Sequence, residues 1–339
     1  MSQAREPELR YRDLLSAVLV GESVATVPVS AWRHYPILDQ DADTLTEVTL
    51  AHQARFDCDF VKLMPASTWQ SRDHGLNDRW AGDAIGRREV TTTVIQTPDD
   101  WQRLRRLDPW NGFSGHILRA ARQVRRTLAP EIPVLTTVFN PLFQAVQLAG
   151  LARVREHAQH HPGALAQGLA TLLANTLAAI EQLADLRLDG IFLVTQHAGR
   201  AMLAPEPYVS LALDSDRACL TAAPLPFNLL HLHGSDLCWE LFLDLDSVVI
   251  HYDAVAGNPD PVRLSKRLAG GLATGPHPQG AMLNGSPAEL MAEVTGLRRR
   301  MRGRPFMLAP GCALPLAVPD HQVDALIQAA RAPLSESDA

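Results

Sequence analysis

The stretch Asn228-Leu-Leu-His-Leu-His-Gly234 is an apolar run that carries two histidines. Side chains alternate between the two faces of an extended strand, so His231 and His233 project to one side while Leu230 and Leu232 project to the other. A nearly continuous apolar run is typical of a parallel strand that is buried on both faces. The stretch therefore predicts a buried strand that presents two imidazoles on one face.

A second segment, Pro310-Gly-Cys-Ala313, follows another apolar run much later in the chain and supplies a thiol, Cys312. Neutral imidazole and thiolate are preferred zinc ligands, and catalytic zinc sites use three protein ligands with one open position. His231, His233 and Cys312 can form such a set. The alternative is that both histidines are hydrogen-bonded core residues, because a His-x-His spacing alone is a weak signal and histidine is intermediate in burial.

Strand and helix patterns alternate along most of the chain. The predicted strands are Val24–Ala31, Asp59–Pro65, Pro133–Phe139, Gly190–Gln196, Asn228–Gly234, Ser247–Asp253, Gly271–Gly275 and Phe306–Ala309. The predicted helices are 11–19, 43–56, 112–129, 164–186, 206–222, 261–269, 287–301 and 320–330. Eight such units, each read as a strand followed by a helix, predict a (β/α)8 TIM barrel. We expect one domain over 1–339, with flexible tails at 1–10 and 332–339 and with 66–99 as an excursion that covers one end of the sheet.

Composition limits the classes of partner. The formal net charge is −6 and no basic block occurs, so the electrostatic footprint of nucleic-acid binding is missing. Segment 1–10 lacks the apolar core of a signal peptide, and no run approaches the roughly 18 to 20 apolar residues that span a membrane. The cysteines are scattered without a disulfide framework. We therefore expect a cytoplasmic protein with reduced cysteines, without nucleic-acid or membrane partners.

Barrel sites lie at the C-terminal ends of the strands, and these ends are rich in histidine here. Such a rim favours a metal or proton-transfer site over a phosphate cradle, and no P-loop or dinucleotide fingerprint occurs. The candidates for catalysis are His251, Asp253, Gln196 and His34, and those for substrate binding are Arg33, Trp32, Lys62, Asn140 and His197. The alternatives are a structural ion pair for Lys62, a rim hydrogen-bond network for His251 and Asp253, and a solvated loop for residues 32–35.

The chain resembles the uroporphyrinogen decarboxylase superfamily over nearly its whole length. The segments that carry the resemblance are Asp57-Cys-Asp-Phe-Val-Lys-Leu63, Phe139-Asn-Pro-Leu-Phe-Gln144, Asp189-Gly-Ile-Phe-Leu-Val-Thr-Gln-His-Ala-Gly199, Leu230-His-Leu-His-Gly234, Ala256-Gly-Asn-Pro-Asp-Pro261 and Pro310-Gly-Cys-Ala-Leu-Pro315. Each segment alone is a weak signal, whereas their order and spacing are specific. The resemblance implies a (β/α)8 barrel with its site at the strand C-termini.

Two branches of that superfamily differ at the site. The haem-pathway decarboxylases have an Arg-Gln-Ala-Gly-Arg motif and an aspartate after the second strand, where this chain has Ser30-Ala-Trp-Arg-His34 and Leu63-Met-Pro-Ala66. Cobalamin-linked methyltransferases, the branch that the chain resembles more, have a His-x-Cys on the fifth strand and a cysteine on the eighth, which together hold zinc. The chain matches that pattern at His231 and Cys312 and has His233 in place of the first cysteine. An imidazole in place of a thiolate makes a bound metal a stronger Lewis acid and leaves the thiol-alkylation reaction open.

The leading hypothesis is a zinc-dependent enzyme of this family, a methyltransferase-type member that acts on a small substrate. The resemblance implies that a methyl donor arrives on a separate corrinoid protein, because the chain has no Asp-x-His-x-x-Gly cobalamin-binding motif. One alternative is a metal-independent decarboxylase of a tetrapyrrole or another carboxylic acid, with Arg33 as the carboxylate anchor. Another is a catalytically idle binding barrel. Formation of a homodimer is left open.

Overall fold

The computed structural model of the chain describes residues 11–24, 26–255 and 257–334. The strands in these ranges are Val61–Leu63 (β1), Asn77–Arg79 (β2), Glu89–Thr92 (β3), Val134–Phe139 (β4), Gly190–Thr195 (β5), Asn228–Leu232 (β6), Val248–Tyr252 (β7), Gly271–Thr274 (β8) and Phe306–Leu308 (β9). Seven of them form one parallel sheet in the order β1-β4-β5-β6-β7-β8-β9, and β2 pairs with β3 separately. The predicted tail 1–10 and residues 335–339 of the other tail lie outside the described residues.

The sheet is a curled layer buried on both faces. Every residue of β4, β5, β6 and β7 is buried. Neighbouring strands run parallel, and His231 of β6 lies opposite His251 of β7 in the register. Burial on both faces explains why these strands read as continuous apolar runs in the sequence. The seven strand predictions between residues 59 and 309 are confirmed.

The predicted strand Val24–Ala31 is wrong, because only Val29 forms a bridge, an isolated parallel one to Leu308 of β9. The Pro28 carbonyl accepts from the Leu308 N–H (2.8 Å), and the Val29 carbonyl accepts from the N–H of Asp59, just before β1 (2.8 Å). Pro28 has no N–H to extend a ladder. The segment therefore bonds to both ends of the sheet order without forming a regular strand.

The helices surround this sheet. Their bounds are Arg12–Leu19 (α1), Ala42–Phe56 (α2), Trp69–Arg72 (α3), Gly112–Thr127 (α4), Pro141–Ala149 (α5), Leu151–His160 (α6), Pro162–Asp185 (α7), Pro205–Tyr208 (α8), Asp214–Thr221 (α9), Pro261–Ser265 (α10), Ala281–Asn284 (α11), Pro287–Arg300 (α12) and Asp320–Arg331 (α13). A π-helical turn, Val209–Leu213, joins α8 to α9. The prediction that every strand is followed by a helix is wrong after β6, where the chain forms only the 3-10 turn Trp239–Phe242.

The unpredicted pair α5 and α6 begins at a recognisable signal. Asn140 precedes α5, its side-chain oxygen accepts from the Phe143 N–H (3.0 Å), and Pro141 occupies the first helical position. Both features are typical of a helix N-terminus, because the first N–H groups of a helix have no partner inside the helix. The helix therefore starts directly after β4, and Asn140 is buried at the junction between that strand and α5.

Helix α7 is long and apolar enough to cross a membrane by length and composition. The prediction that no segment approaches this length is therefore wrong. The buried residues of α7 include Leu165, Leu172, Thr176 and Leu183, which recur at helical spacing along one face. Core helices of soluble proteins pass the same length test, so one such helix is weak evidence for a membrane span.

Residues 66–99 contain α3 and the β2–β3 hairpin, and the loop of that hairpin lies over the ends of the strands. At Gly86, which has φ +86°, an added Cβ would lie 2.7 Å from the Cβ of His34. The Ala84 carbonyl accepts from the Leu316 N–H (2.8 Å). The hairpin loop thus packs against the segment that contains His34 and bonds to the loop that follows β9.

Candidate metal centre and pocket

Three side chains converge at the C-terminal ends of the sheet. His231 is the penultimate residue of β6, His233 follows the end of that strand, and Cys312 lies in the loop after β9. The Nε2 atom of His231 lies 3.4 Å from Nδ1 of His233 and 3.9 Å from Sγ of Cys312. Nδ1 of His233 lies 3.5 Å from the same Sγ. These three atoms form a compact triangle of two nitrogens and one sulfur, which we call the His-His-Cys trio.

The dimensions of the trio fit a tetrahedral ion. Bonds of about 2.05 Å to nitrogen and about 2.3 Å to sulfur separate two nitrogen ligands by about 3.3 Å, and nitrogen from sulfur by about 3.6 Å. The observed N–N distance of 3.4 Å and the shorter N–S distance of 3.5 Å agree with these values, and only the 3.9 Å edge is longer. The donor set is also one that zinc prefers. The residues present therefore fit zinc, with a fourth position left for a small molecule.

A chain of hydrogen bonds fixes which nitrogen of His231 faces the trio. Nε2 of His251 lies 3.0 Å from the Pro310 carbonyl, which can only accept, so this nitrogen carries the proton. In the neutral ring Nδ1 of His251 is then an acceptor, and it lies 2.8 Å from Nδ1 of His231. His231 must donate from Nδ1, which leaves the lone pair of its Nε2 directed at the trio. His251 thus selects the tautomer that can bind a metal.

The histidines of the site are held neutral. Burial lowers the pKa of His231 well below its ordinary value, and the neighbouring imidazoles of His251 and His233 lower it further. Burial also lowers the pKa of His251 to about 3 and lowers the pKa of His233. Burial raises the pKa of the Cys312 thiol, while Lys62 opposes that shift. Neutral imidazoles are the form that ligates a metal, whereas the thiol must lose its proton.

A cavity of about 450 Å³ opens beside the trio. Its wall is built from alternate residues of successive strands, as expected when side chains alternate between faces. The residues concerned are Trp32 and His34, Lys62 and Met64, Thr137 and Phe139, Phe192, Val194 and Gln196, His231 and His233, then His251 and Cys312. The predicted residues Trp32, His34, Lys62, Gln196 and His251 are thereby brought together with the trio.

Lys62 lines the cavity, and its ammonium group lies over two aromatic rings that also line it. Its Nζ is 3.7 Å from the ring centroid of Phe192 and 4.6 Å from that of Trp32. No carboxylate pairs with it in the part of the chain that the structure describes, so the alternative of a structural ion pair is wrong. Burial lowers its pKa to about 7, and the nearby Cys312 opposes that shift. The ring faces stabilise the ammonium while leaving its N–H donors for a ligand.

Two arginines that the sequence did not indicate also line the cavity. Arg88 donates from Nε to Asp78 (2.6 Å) and from Nη1 to the Pro36 carbonyl (2.8 Å). Arg87 pairs with Asp83 at 2.8 Å. Both arginines come from the hairpin loop, whose sequence is polar and has no helical or strand period, so no pattern could have assigned them to the site.

Arg33 and Asn140, both predicted to bind substrate, face away from the cavity. Arg33 follows the inward-facing Trp32 on an extended segment and points to a smaller void beside His52 and Tyr35. Its Nε and Nη2 atoms are buried and lack hydrogen-bond partners among the described residues. Asn140 is fully buried, caps α5 and donates to Asp216 (2.8 Å). The structure gives Asn140 a helix-capping role.

Asp253 and His197 lie behind the cavity wall. Asp253 pairs with Nδ1 of His277 at 2.6 Å, and its backbone and carboxylate pack against Gly311, where an added Cβ would lie 2.2 Å from Oδ1. Burial raises the pKa of Asp253, and His277 opposes that shift. His197 is buried next to Phe143, and burial lowers its pKa to about 4. Asp253 therefore supports the loop that carries the trio's cysteine.

Comparisons with known proteins agree with this architecture. Residues 12–333 match the family model for uroporphyrinogen decarboxylase (URO-D). Among solved structures, the chain is similar to a methyltransferase from Methanosarcina mazei, with a TM-score of 0.84 and 16% identity over 95% of this chain and 98% of that one. It is also similar to a B12-independent methionine synthase from Shewanella sp. W3-18-1 in complex with selenomethionine, with a TM-score of 0.56 and 10% identity over 92% and 94% of the two chains. Identities this low concern the fold alone. No curated protein gave a match.

Proposed function

Since the chain belongs to the uroporphyrinogen decarboxylase family, we propose that it is a zinc-dependent methyltransferase that acts on a small thiol. The single observation that carries this proposal is the His-His-Cys trio at the edge of the cavity, with ligand-atom separations of 3.4, 3.5 and 3.9 Å. The names of the family and of both similar structures refer to enzymes. We choose methyl transfer as the reaction because one fold neighbour is a methyltransferase, although that likeness concerns the fold alone.

The charge of the trio favours an anionic fourth ligand. Two neutral imidazoles and one thiolate supply one negative charge, so a bound Zn²⁺ keeps a net charge of about +1. Lys62 adds positive charge to the same cavity, where Arg87 is paired with Asp83. A substrate thiolate would neutralise the metal site, whereas the apolar wall formed by Phe139, Phe143 and Val194 suits the rest of a small organic molecule.

Each residue then has a defined task. Zinc held by the trio would acidify a thiol that occupies the open position. His251 keeps the Nε2 lone pair of His231 directed at the centre of the trio, where it can bind the metal. Lys62 and Arg87 hold an anionic group of the substrate, and Gln196 lies at the rim as a hydrogen-bonding group. In the transfer, the sulfur electron pair forms the bond to the methyl carbon, and the electron pair of the broken bond leaves with the donor.

The methyl donor in this proposal is a corrinoid on a separate protein. The 450 Å³ cavity is of the size that suits a small substrate. A donor presented by a partner must approach from the open ends of the strands, where the hairpin loop lies. We also propose that the chain is cytoplasmic and forms one domain, and that the segment around Val29 takes the first position of a (β/α)8 barrel by bonding to both Leu308 and Asp59.

Zinc content tests the metal assignment. Purified protein should hold about one zinc per chain by elemental analysis, and Cys312→Ala should lose it. Cys238→Ala is the matched control, because Cys238 is another free cysteine but lies outside the trio. Unchanged zinc in Cys312→Ala, or no zinc in wild type even after zinc addition, would overturn the metal assignment.

A turnover assay tests the reaction. The zinc-loaded protein should transfer the methyl group of methylcobalamin to a small anionic thiol, and the rate should fall with zinc in Cys312→Ala. The cationic side chains of Lys62, Arg87 and Arg88 in the cavity also favour the alternative, a metal-independent decarboxylase of a carboxylic acid. Release of CO₂ from a carboxylic acid at the same rate in wild type and Cys312→Ala would select that alternative.

A further inference from the structure

A second cavity, of about 410 Å³, lies at the other end of the sheet. Its lining residues are Arg12, Arg122, Arg125, Arg126, Asp185 and Arg187, with the adjoining Pro130 and Leu186. Pro130 precedes β4 and Arg187 precedes β5, so this cavity opens at the N-terminal ends of the strands. The His-His-Cys trio lies at their C-terminal ends. We call the second cavity the arginine cleft.

The floor of the arginine cleft is a rigid network. Arg12 bonds to the buried Asp189 at 2.5 Å and to the Pro130 carbonyl at 2.8 Å. Arg125, whose side chain is 9% exposed, pairs with the same carboxylate at 3.1 Å. Asp189 also accepts from the Val134 N–H at 2.8 Å, which ties the network to the first residue of β4. This floor fixes two guanidinium groups before any ligand arrives.

The walls of the cleft carry the cations that remain available. Arg126 and Arg187 are exposed, and neither forms an ion pair within the ranges that the structure describes. Arg122 lies over the ring of Trp110, with 5.4 Å between its guanidinium carbon and the ring centroid. Asp185 is the carboxylate that lines the cleft. Five arginines therefore face one carboxylate on the wall and one in the floor, in a chain whose net charge is −6.

A structural role accounts for part of this cluster. Arginine is favoured near helix C-termini, where it can bond to open carbonyls, and Arg125 does so with Leu128 and Ala129 at the end of α4 (3.1 and 2.6 Å). Arg126 and Arg187 have no such bond in the described residues, and Arg122 lies more than one turn from the end of α4. Capping leaves these three cations unexplained.

We propose that the arginine cleft binds a small molecule that carries two or more phosphate groups. Planar guanidinium groups bind phosphate oxygens in pairs, and several of them in one concave site discriminate a polyanion from a single charge. The volume is in the range of small-molecule sites. The ligand lies at the opposite end of the sheet from the methyl-transfer site, so this inference is independent of the proposed function.

Calorimetric titration with inorganic pyrophosphate at low ionic strength tests the proposal. Wild type should bind, and the double variant Arg126→Ala, Arg187→Ala should bind at least tenfold more weakly, because two unshared cations are removed. Arg79→Ala, Arg103→Ala is the matched control, since these arginines are exposed and pair with Glu89 and Asp100 away from the cleft. It removes the same charge and should keep wild-type affinity.

Some outcomes would overturn the proposal, and one further control separates the arginine cleft from the trio. No binding by wild type, or an equal loss in both double variants, would show that the cleft does not recognise phosphate specifically. Tighter binding of a polyglutamate peptide than of pyrophosphate would assign the surface to an acidic protein segment instead. Cys312→Ala must bind pyrophosphate as wild type does, which separates the cleft from any metal-bound phosphate at the trio.

Discussion

Replacement of His251 tests whether the buried hydrogen-bond chain sets the metal affinity of the trio. In His251→Leu the Nδ1–H of His231 loses the acceptor that lies 2.8 Å away, and the Pro310 carbonyl loses its donor at 3.0 Å. His231 can then move its proton to Nε2, which removes the lone pair that faces Cys312. Loss of a partner that orients a metal ligand lowers metal affinity by about 10- to 100-fold. We expect the same range here, equivalent to about 1.4 to 2.7 kcal/mol.

His251→Asn separates tautomer selection from general loss of packing. The Oδ1 of asparagine can accept near the position of the imidazole Nδ1, so this variant should keep the proton of His231 on Nδ1 and recover most of the zinc affinity. His157→Leu is the control for burial of a lone histidine, because His157 is buried and accepts from Trp101 at 2.8 Å far from the trio. It should lose stability without any change in zinc affinity.

The assay is competition for zinc against a chromophoric chelator at neutral pH, with the His231 nitrogens followed by ¹⁵N NMR. Wild type and His251→Asn should show the proton on Nδ1 of His231. Equal zinc affinity in wild type and His251→Leu would refute the role of the hydrogen-bond chain, as would an equal loss in His251→Asn and His251→Leu. Because wild type is measured first, failure of the zinc assignment itself is recognised separately.

Three further predictions concern the cysteine loop, Lys62 and the buried Asp216. Gly311→Ala places a Cβ 2.2 Å from Oδ1 of Asp253 and must displace the loop that carries Cys312, so zinc affinity should fall at least about tenfold. Gly296→Ala is the control, because its Cβ would meet nothing within 4 Å, and it should leave zinc binding unchanged in the same chelator assay. Lys62→Met keeps the buried stem but removes the charge, so zinc content should be unchanged while the KM for an anionic thiol rises about tenfold or more. Burial raises the pKa of Asp216 to about 7, so the folded state holds a proton that the unfolded state loses above about pH 4, and stability should fall between pH 4 and pH 7. Chemical denaturation should show this loss in wild type and a smaller one in Asp216→Asn.

The sheet could be predicted from the sequence because burial on both faces leaves a direct trace, an unbroken apolar run. β5 and β6 are such runs, and all their residues are buried. The segment around Val29 reads like the others, yet Pro28 cannot donate and only one bridge forms. The sequence analysis does not predict helices α5 and α6, although Asn140 and Pro141 mark the start of α5. The apolar residues around that start do not stand out as a helical pattern.

The site was predictable only where local geometry determines it. Alternation along β6 places His231 and His233 on one side, and register with β7 places His251 beside His231. The position of Cys312 beside the two histidines depends on the path of the loop after β9, three strands from β6 in the sheet, which no local pattern contains. Ligand chemistry made Cys312 a candidate, and the resemblance supported it, because the order of the matching segments reflects the whole fold. Asp253 directly follows β7, the strand that carries His251, but pairs with His277 instead.

The charge near the trio depends on its ligands and on the ionisable side chains that line the cavity. In a trio with a second thiolate, a bound zinc ion would be neutral, whereas His233 leaves about one positive charge on it. Lys62 has no paired carboxylate among the described residues, and Arg87 shares its charge with Asp83. Asp83 and Glu89 also line the cavity, and Arg88 is paired with Asp78, so Lys62 is the lining cation without a paired carboxylate in the described ranges. In the proposed function, a metal ion with about one positive charge beside Lys62 would favour an anionic ligand and would hold a bound thiol in the deprotonated form.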